Sequence, residues 1–268
     1  MFKLFKRFLA YFIDMMVVLI IAQTIISIPF VDKKMTKYND TYNDYLEYIS
    51  DYSAFRLDLI DSYEDEKIDK EEYDELIEEH DNYKEILNTY YKDESLTKKN
   101  YDKLIKRIDN DYEEFSKKMQ YKIDKYSIIY NVSYLVLTLL YFVGFNIITG
   151  GVTLGKKLMR LKIVNNLDSN KNVSLVSYLI RFVLLYKPIY YLTICIGVNL
   201  LNVNNYYNVI SVVKGFHTYL EFVILIFMMV RLDGRGLHDI LSKTKVVALD
   251  RFGNEIKYEK KQLETIEK

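Results

Sequence analysis

Residues 8–30 carry one formal charge, Asp14, in an otherwise apolar run whose other strongly polar side chain is Gln23. As a helix rising about 1.5 Å per residue, such a run covers roughly 30 Å, the hydrocarbon thickness of a bilayer. The length predicts a membrane span. A carboxylate at its seventh position is costly there and calls for a partner or a function.

Three further apolar stretches follow: 127–149 without a formal charge, 173–203 interrupted by Arg181 and by Lys187-Pro188, and 209–230 interrupted by Lys214, His217 and Glu221. Four spans is the simplest count. Pro188 is expected to kink any continuous helix through the third stretch. In the alternative, residues 174–186 lie as an amphipathic helix in the interface and Pro188 starts a shorter membrane piece. Lys3, Lys6 and Arg7 ahead of the first run imitate a signal peptide. No small-x-small cleavage site ends that run, which is also longer than an ordinary h-region, so it reads as a retained span.

The formal net charge of zero hides two opposed parts: residues 31–126 hold 27 acidic and 17 basic side chains, and the rest hold 10 acidic and 20 basic. Basic loops stay on the cytoplasmic side. Lys3, Lys6 and Arg7, the group Lys156, Lys157, Arg160, Lys162 and Lys171, and the tail after Val230 all belong there. Four spans bring them to one side and leave the acidic segment outside, so parity and charge agree. The expected organisation is a first span in 1–30, an extracytoplasmic insertion in 31–126, three spans in 127–249 and a charged cytoplasmic tail in 250–268. The lipid bilayer, as a plasma membrane, is the expected surrounding, with both termini cytoplasmic; nucleic acid is not an expected partner.

In the insertion, Tyr38, Tyr42, Tyr45, Ile49, Tyr52 and Leu59 recur at gaps near three and four, with Arg56 in the missing place. This is a heptad-like stripe that predicts a helix suited to a coiled coil. Asp69 followed by Glu72 predicts an N-cap and capping box. The helix it opens would carry Tyr73, Leu76, Ile77, His80, Tyr83, Leu87 and Tyr90 on one face. Thr97 is expected to cap a third helix that runs into the second span. The insertion therefore reads as a helical hairpin or three-helix bundle. Its tyrosines suit a thin bundle, because the ring is buried while the hydroxyl reaches water; the other meaning of the stripe is a surface for a protein partner. The acidic runs at 64–66 and 78–81 lack the spaced oxygen ligands and glycine of a calcium loop.

Asp14 lies seven residues beyond Arg7, and Arg181 seven beyond Ser174, which puts both at about 10 Å depth by helical rise. Glu221 comes ten residues before Arg231, roughly 15 Å above the same boundary. Three charges of mixed sign are thus expected in one half of the membrane. Such a cluster has two meanings. It is either a buried Asp14–Arg181 pair that fixes helix register, with Arg7 snorkelling to the headgroups, or a site where two carboxylates sharing one arginine bind a proton or small cation.

Other motifs fail on chemistry. Gly150 to Lys156 follows the glycine-lysine spacing of a phosphate-binding loop, but Lys157 replaces the magnesium-holding Ser or Thr, and a membrane span precedes it instead of a strand. A glycine turn leading into a basic, lipid-facing segment fits better. His80, His217 and His238 have no metal spacing with a cysteine or with one another, and Cys195 stands alone. No nucleophile, base and orienter can be assembled by spacing, so neither catalytic residues, cofactors nor a metal are expected. Short strands are expected at 161–164 and 245–248, pairing into a small cytoplasmic sheet.

Arg7 and Asp14 in the first span, the run Gly151-Val152-Thr153-Leu154-Gly155-Lys156-Lys157 after the second, Arg181 in the third and Gly236-Leu237-His238-Asp239-Ile240-Leu241 near the end resemble the RDD family of membrane proteins, named for an arginine and two aspartates. By position Arg7, Asp14 and Asp239 match those three, with Gly155 and His238 beside them in the pattern. The resemblance covers 1–29 and 127–249. It implies an all-α integral membrane protein, a four-span bundle, here with a long insertion between the first two spans. Asp239 is expected to cap the following turn or to bond a basic partner such as Lys156. The family resemblance also implies transport, in some members cation/proton antiport. Taken together, the expectation is a non-enzymatic carrier of a cation or small solute through Asp14, Arg181 and Glu221. The alternative is a membrane adaptor that binds a protein or envelope component through 31–126.

Overall fold

A computed structural model describes residues 2–63, 67–92, 95–231 and 235–256. Residues 64–66, in the first acidic run, and 257–268 of the tail lie outside the described residues. The chain divides into two compact units, one of 1–32, 128–200 and 208–268 and the other of 33–127 with 201–207.

The first unit is built on α1 (Phe2–Ile26). This helix stops short of the end of its apolar run: Ser27 and Ile28 make a turn and Pro29 opens α2 (Pro29–Asp61). Proline fits there because the first turn of a helix needs no N–H from it. Later in the chain, after the second unit's elements, α6 (Ile128–Leu139) passes into a π-helical stretch, Leu140–Phe145, and a last turn, α7 (Asn146–Ile148). Just before the change, the Thr138 hydroxyl donates to the carbonyls of Tyr134 and Leu135 at 2.8 and 3.0 Å, a competition with the backbone ladder that bends helices. Gly150 and Gly151 then turn the chain with positive φ. A Cβ on Gly151 would meet the Ile163 carbonyl at 2.4 Å, so glycine is required for this approach.

The turn leads into α8 (Leu154–Leu158) and β3 (Leu161–Asn165). α9 (Leu175–Leu185) and α10 (Pro188–Leu200) are bent by 70° at the intervening break, where Lys187 takes a positive φ of 52° ahead of Pro188. The third apolar stretch is therefore a broken helix pair. α11 (Val203–Val230) completes the set; it begins earlier than its apolar stretch. Among the described residues, length and hydropathy give three candidate spans, Leu4–Ile26, Ile128–Ile148 and Val203–Val230, and a fourth if the bent pair counts as one.

After α12 (Leu237–Leu241), β4 (Thr244–Ala248) pairs antiparallel with β3, Ile163 opposite Val246. Both strands are one residue longer than the sequence pattern suggests. The core of this unit joins Val18, Tyr134, Phe142, Val143, Ile163, Tyr178 and Phe182. Its outside is also apolar: Phe8, Ile20, Leu140, Val212, Phe216 and Met229 are exposed. Such a surface is stable where the surroundings are lipid, and it identifies a multi-pass membrane-type fold.

The second unit has the opposite arrangement. α2 supplies Phe55 and Leu59 to a core completed by Ile68, Tyr73, Leu76, Leu87, Leu96, Leu104 and Ile108. Asp69 caps α3 (Lys70–Glu79) by accepting from the Glu71 and Glu72 amides, while Glu72 closes the capping box. The helix expected to run through Tyr90 breaks at His80. A 3₁₀ turn, Asp81–Tyr83, and a separate α4 (Lys84–Tyr90) follow, bringing Tyr83 flat onto Phe55 with ring centres 3.9 Å apart. A two-residue ribbon, β1 (Lys67–Ile68) with β2 (Leu96–Thr97), leads into α5 (Lys98–Tyr126). Thr97 stands at the N-cap, but its side chain makes no capping bond. α5 ends at Ser127 rather than running unbroken into α6. Tyr52 of α2 stacks on Tyr112 of α5 at 4.0 Å and donates to Asp109, so part of the tyrosine stripe packs the unit's own helices.

Candidate functional site

Asp14 is 1 % exposed, and the helix that carries it is covered at this point by α8. That close approach depends on Gly155, where a Cβ would lie 2.1 Å from the Ala10 carbonyl oxygen and 3.0 Å from the Asp14 carboxyl carbon. Four donors converge on the carboxylate. The Gly155 amide donates to Oδ1 at 2.7 Å, Tyr141 donates to the same oxygen at 2.7 Å, and Thr153 donates to Oδ2. The Lys156 ammonium stands 3.7 Å from Oδ2 and donates to Thr153 Oγ1 at 2.9 Å. Tyr141 belongs to the π-helical stretch, a distortion that frequently marks functional sites.

A second buried carboxylate, Asp239, has a similar cage. Arg181 donates to it and to Thr244 Oγ1, the latter at 2.8 Å. Arg7 approaches Oδ2 at 3.8 Å and donates to the Val246 carbonyl at 2.8 Å, tying α1 to β4. Asp239 also accepts from the Gly236 amide at 3.3 Å, capping its own helix. Ser242 bonds Thr244 and the His238 carbonyl, which closes the network.

Burial lowers the Lys156 pKa to about 8; the negative charge of Asp14 works against that fall, and Arg181 adds to it. Asp239 contributes a smaller opposing effect, so Lys156 senses both carboxylate clusters. Burial raises the Asp239 pKa, but Arg181, His238 and Arg7 outweigh it and hold the carboxyl below its ordinary value. His238 is pushed down to about 4 by burial, then by Arg181. Its imidazole 3.6 Å from Asp239 is therefore neutral at neutral pH and forms no ion pair.

The three charges that the sequence groups by depth take different ion-pair partners. Asp14 pairs with Lys156, Arg181 with Asp239, and Glu221 with Lys187 at 2.9 Å, the last pair half-exposed. Asp239 takes Arg181 as its basic partner, not Lys156. Tyr141, Thr153 and Lys156 are the residues that spacing alone missed. The glycine-lysine run did single out Lys156, but as part of a failed phosphate loop. Its ammonium instead turns back to Thr153 and Asp14.

A polytopic membrane domain with two caged, buried carboxylates defines the class. Residues 97–243 match the family model described as RDD family, and the chain belongs to that family. The match begins at Thr97, immediately before α5 and beyond most of the insertion, so Arg7 and Asp14 precede it. No curated protein and no solved structure matches the chain.

Proposed function

We propose that this RDD protein is a carrier in which the Asp14–Lys156 pair exchanges a small cation for a proton. The observation that supports the reading is a fully buried carboxylate beside a lysine whose proton is held only to about pH 8. When Lys156 releases that proton to water, Asp14 loses its counter-charge. A monovalent cation then takes the place of the ammonium. The hydroxyl oxygens of Tyr141 and Thr153 offer lone pairs beside the carboxylate, and oxygen donors suit hard cations. One proton leaves for each cation that enters, so the site remains neutral. Arg181 and Asp239 act as the fixed pair, joining α9, α12 and β4 while the other pair exchanges.

In this reading the protein lies in a bacterial plasma membrane with both termini and the basic 150–172 segment cytoplasmic, in keeping with the distribution of Lys and Arg. It carries out no covalent chemistry. Proton and sodium or potassium flux in proteoliposomes tests it, with inserted amount and orientation matched. Wild type moves the cation against protons, and Asp14→Asn and Lys156→Gln do not. A wild type indistinguishable from empty liposomes across pH and cations would refute it.

A second reading, a membrane adaptor, draws on the separate aromatic core of residues 33–127. It requires those residues to cross-link to a protein or envelope component in cells, with no flux from wild type.

A further inference from the structure

We propose that the second unit holds a divalent transition-metal site, of the class that zinc occupies, formed by Asp58, Glu79 and His80. The ligand atoms of these three residues lie within 4.8 Å of one another. They come together because α3 ends where it does. His80 leaves helical geometry at φ −127°, ψ 59°, while its amide still donates to the Leu76 carbonyl, so consecutive residues Glu79 and His80 turn toward the same part of α2. His80 is then held from behind by the edge of Phe55, ring centres 5.3 Å apart, and Phe55 is itself fully buried under Tyr83. This wall leaves His80 Nε2 facing Asp58 Oδ2 at 2.7 Å.

The donor set selects the ion. Imidazole with two carboxylates suits zinc and its neighbours, whereas calcium and magnesium take oxygen alone. Three protein ligands with Glu79 exposed leave a position for water, the arrangement of an open zinc site. Because a carboxylate only accepts, Nε2 carries the hydrogen in the Asp58 contact. For the metal to bind Nε2 the ring must carry its hydrogen on Nδ1 instead: a neutral ring takes the proton there by tautomer exchange, an imidazolium releases the Nε2 proton to water, and Asp58 then reaches the ion instead of the ring. An acidic unit, with 27 acidic against 17 basic side chains over residues 31–126, favours the approach of a dication. Sequence spacing hides the site, since Asp58 stands 22 positions before His80.

The site is independent of the proposed carrier reading and is tested on the full-length protein in detergent. Co²⁺ is titrated and followed by its visible absorption, and Zn²⁺ is then added in competition against a chelating indicator. One ion per chain is expected, with Zn²⁺ displacing Co²⁺. His80→Ala should weaken Zn²⁺ by roughly tenfold or more, since even outer partners of a metal ligand are worth about that much; Asp58→Asn should also weaken it. Asp14→Asn should leave it unchanged. Because His80→Ala also removes a packed ring, His80→Gln is measured beside it, with folding followed by the helical circular dichroism signal. Absence of stoichiometric binding, or binding that survives both His80 variants and Asp58→Asn, would overturn the site and leave an ordinary histidine–aspartate hydrogen bond.

Discussion

The two units solve opposite packing problems. The helices of residues 33–127 put Phe55, Leu59 and Leu104 inside at 0 % exposure and turn carboxylates and lysines outward, the arrangement of a chain in water. The other unit turns Phe8, Phe216 and Met229 outward and closes over Asp14, Arg181 and Asp239. The difference teaches that solvent, more than residue type, decides which groups need partners. Water satisfies an exposed carboxylate, while a carboxylate inside an apolar shell must be surrounded by donors from its own chain. Asp14 and Asp239 are surrounded in this way, each by groups from at least two separate segments.

Removing a donor from the apolar unit should therefore have the largest effect. Arg181→Leu leaves Asp239 buried without its main counter-charge and is expected to destabilise by about 3–5 kcal/mol, read as loss of monodisperse protein in detergent. Arg181→Leu with Asp239→Leu should recover a large part of that loss. Next comes a direct test of the inversion. Phe216→Lys, at the middle of α11, should cost about 2.5–3.5 kcal/mol in membrane insertion. Leu57→Lys, on an equally exposed residue of α2, should change stability by no more than about 0.5 kcal/mol. Equal effects would erase the distinction between the units. Gly155→Ala should cost about 1–3 kcal/mol by overpacking and shift α8 off Asp14, measurable as a lowered thermal midpoint. Smallest is Lys187→Ala: its pair with Glu221 is more than a third exposed on both sides, so at most about 1 kcal/mol is expected.

The sequence carries the elements of this comparison unevenly. Span lengths, the insertion, the Asp69 capping box and the β3–β4 ribbon follow from local patterns, because hydropathy, caps and alternation act over a few residues. Asp14 and Arg181 stand out for the same reason, as charges in apolar runs. Their partners do not. Depth along a helix gives one coordinate, so Asp14, Arg181 and Glu221 look like one cluster although each takes a different partner. Lys156 reaches Asp14 only because two positive-φ glycines and the small Gly155 bring α8 back onto α1. Asp239 lies 58 residues beyond Arg181, a separation that no periodicity reports. The break at His80 is similar: the apolar stripe continues through it, but the chain takes a tighter turn there and Tyr83 stacks on Phe55, 28 positions earlier in the chain.

Linkage gives the Asp14–Lys156 pair its sign. A lysine whose folded pKa falls from 10.5 to about 8 binds fewer protons folded than unfolded between those values, so its site gains stability as pH rises from about 8 to about 10.5. The most direct measurement is the titration of Lys156 itself, by nitrogen-15 NMR of lysine-labelled protein with Lys156→Gln to assign the signal. The account predicts a midpoint near 8 that moves lower as sodium or potassium is raised, because the cation and the proton compete for Asp14. A midpoint at the ordinary lysine value of about 10.4, or one indifferent to both cations, would contradict it.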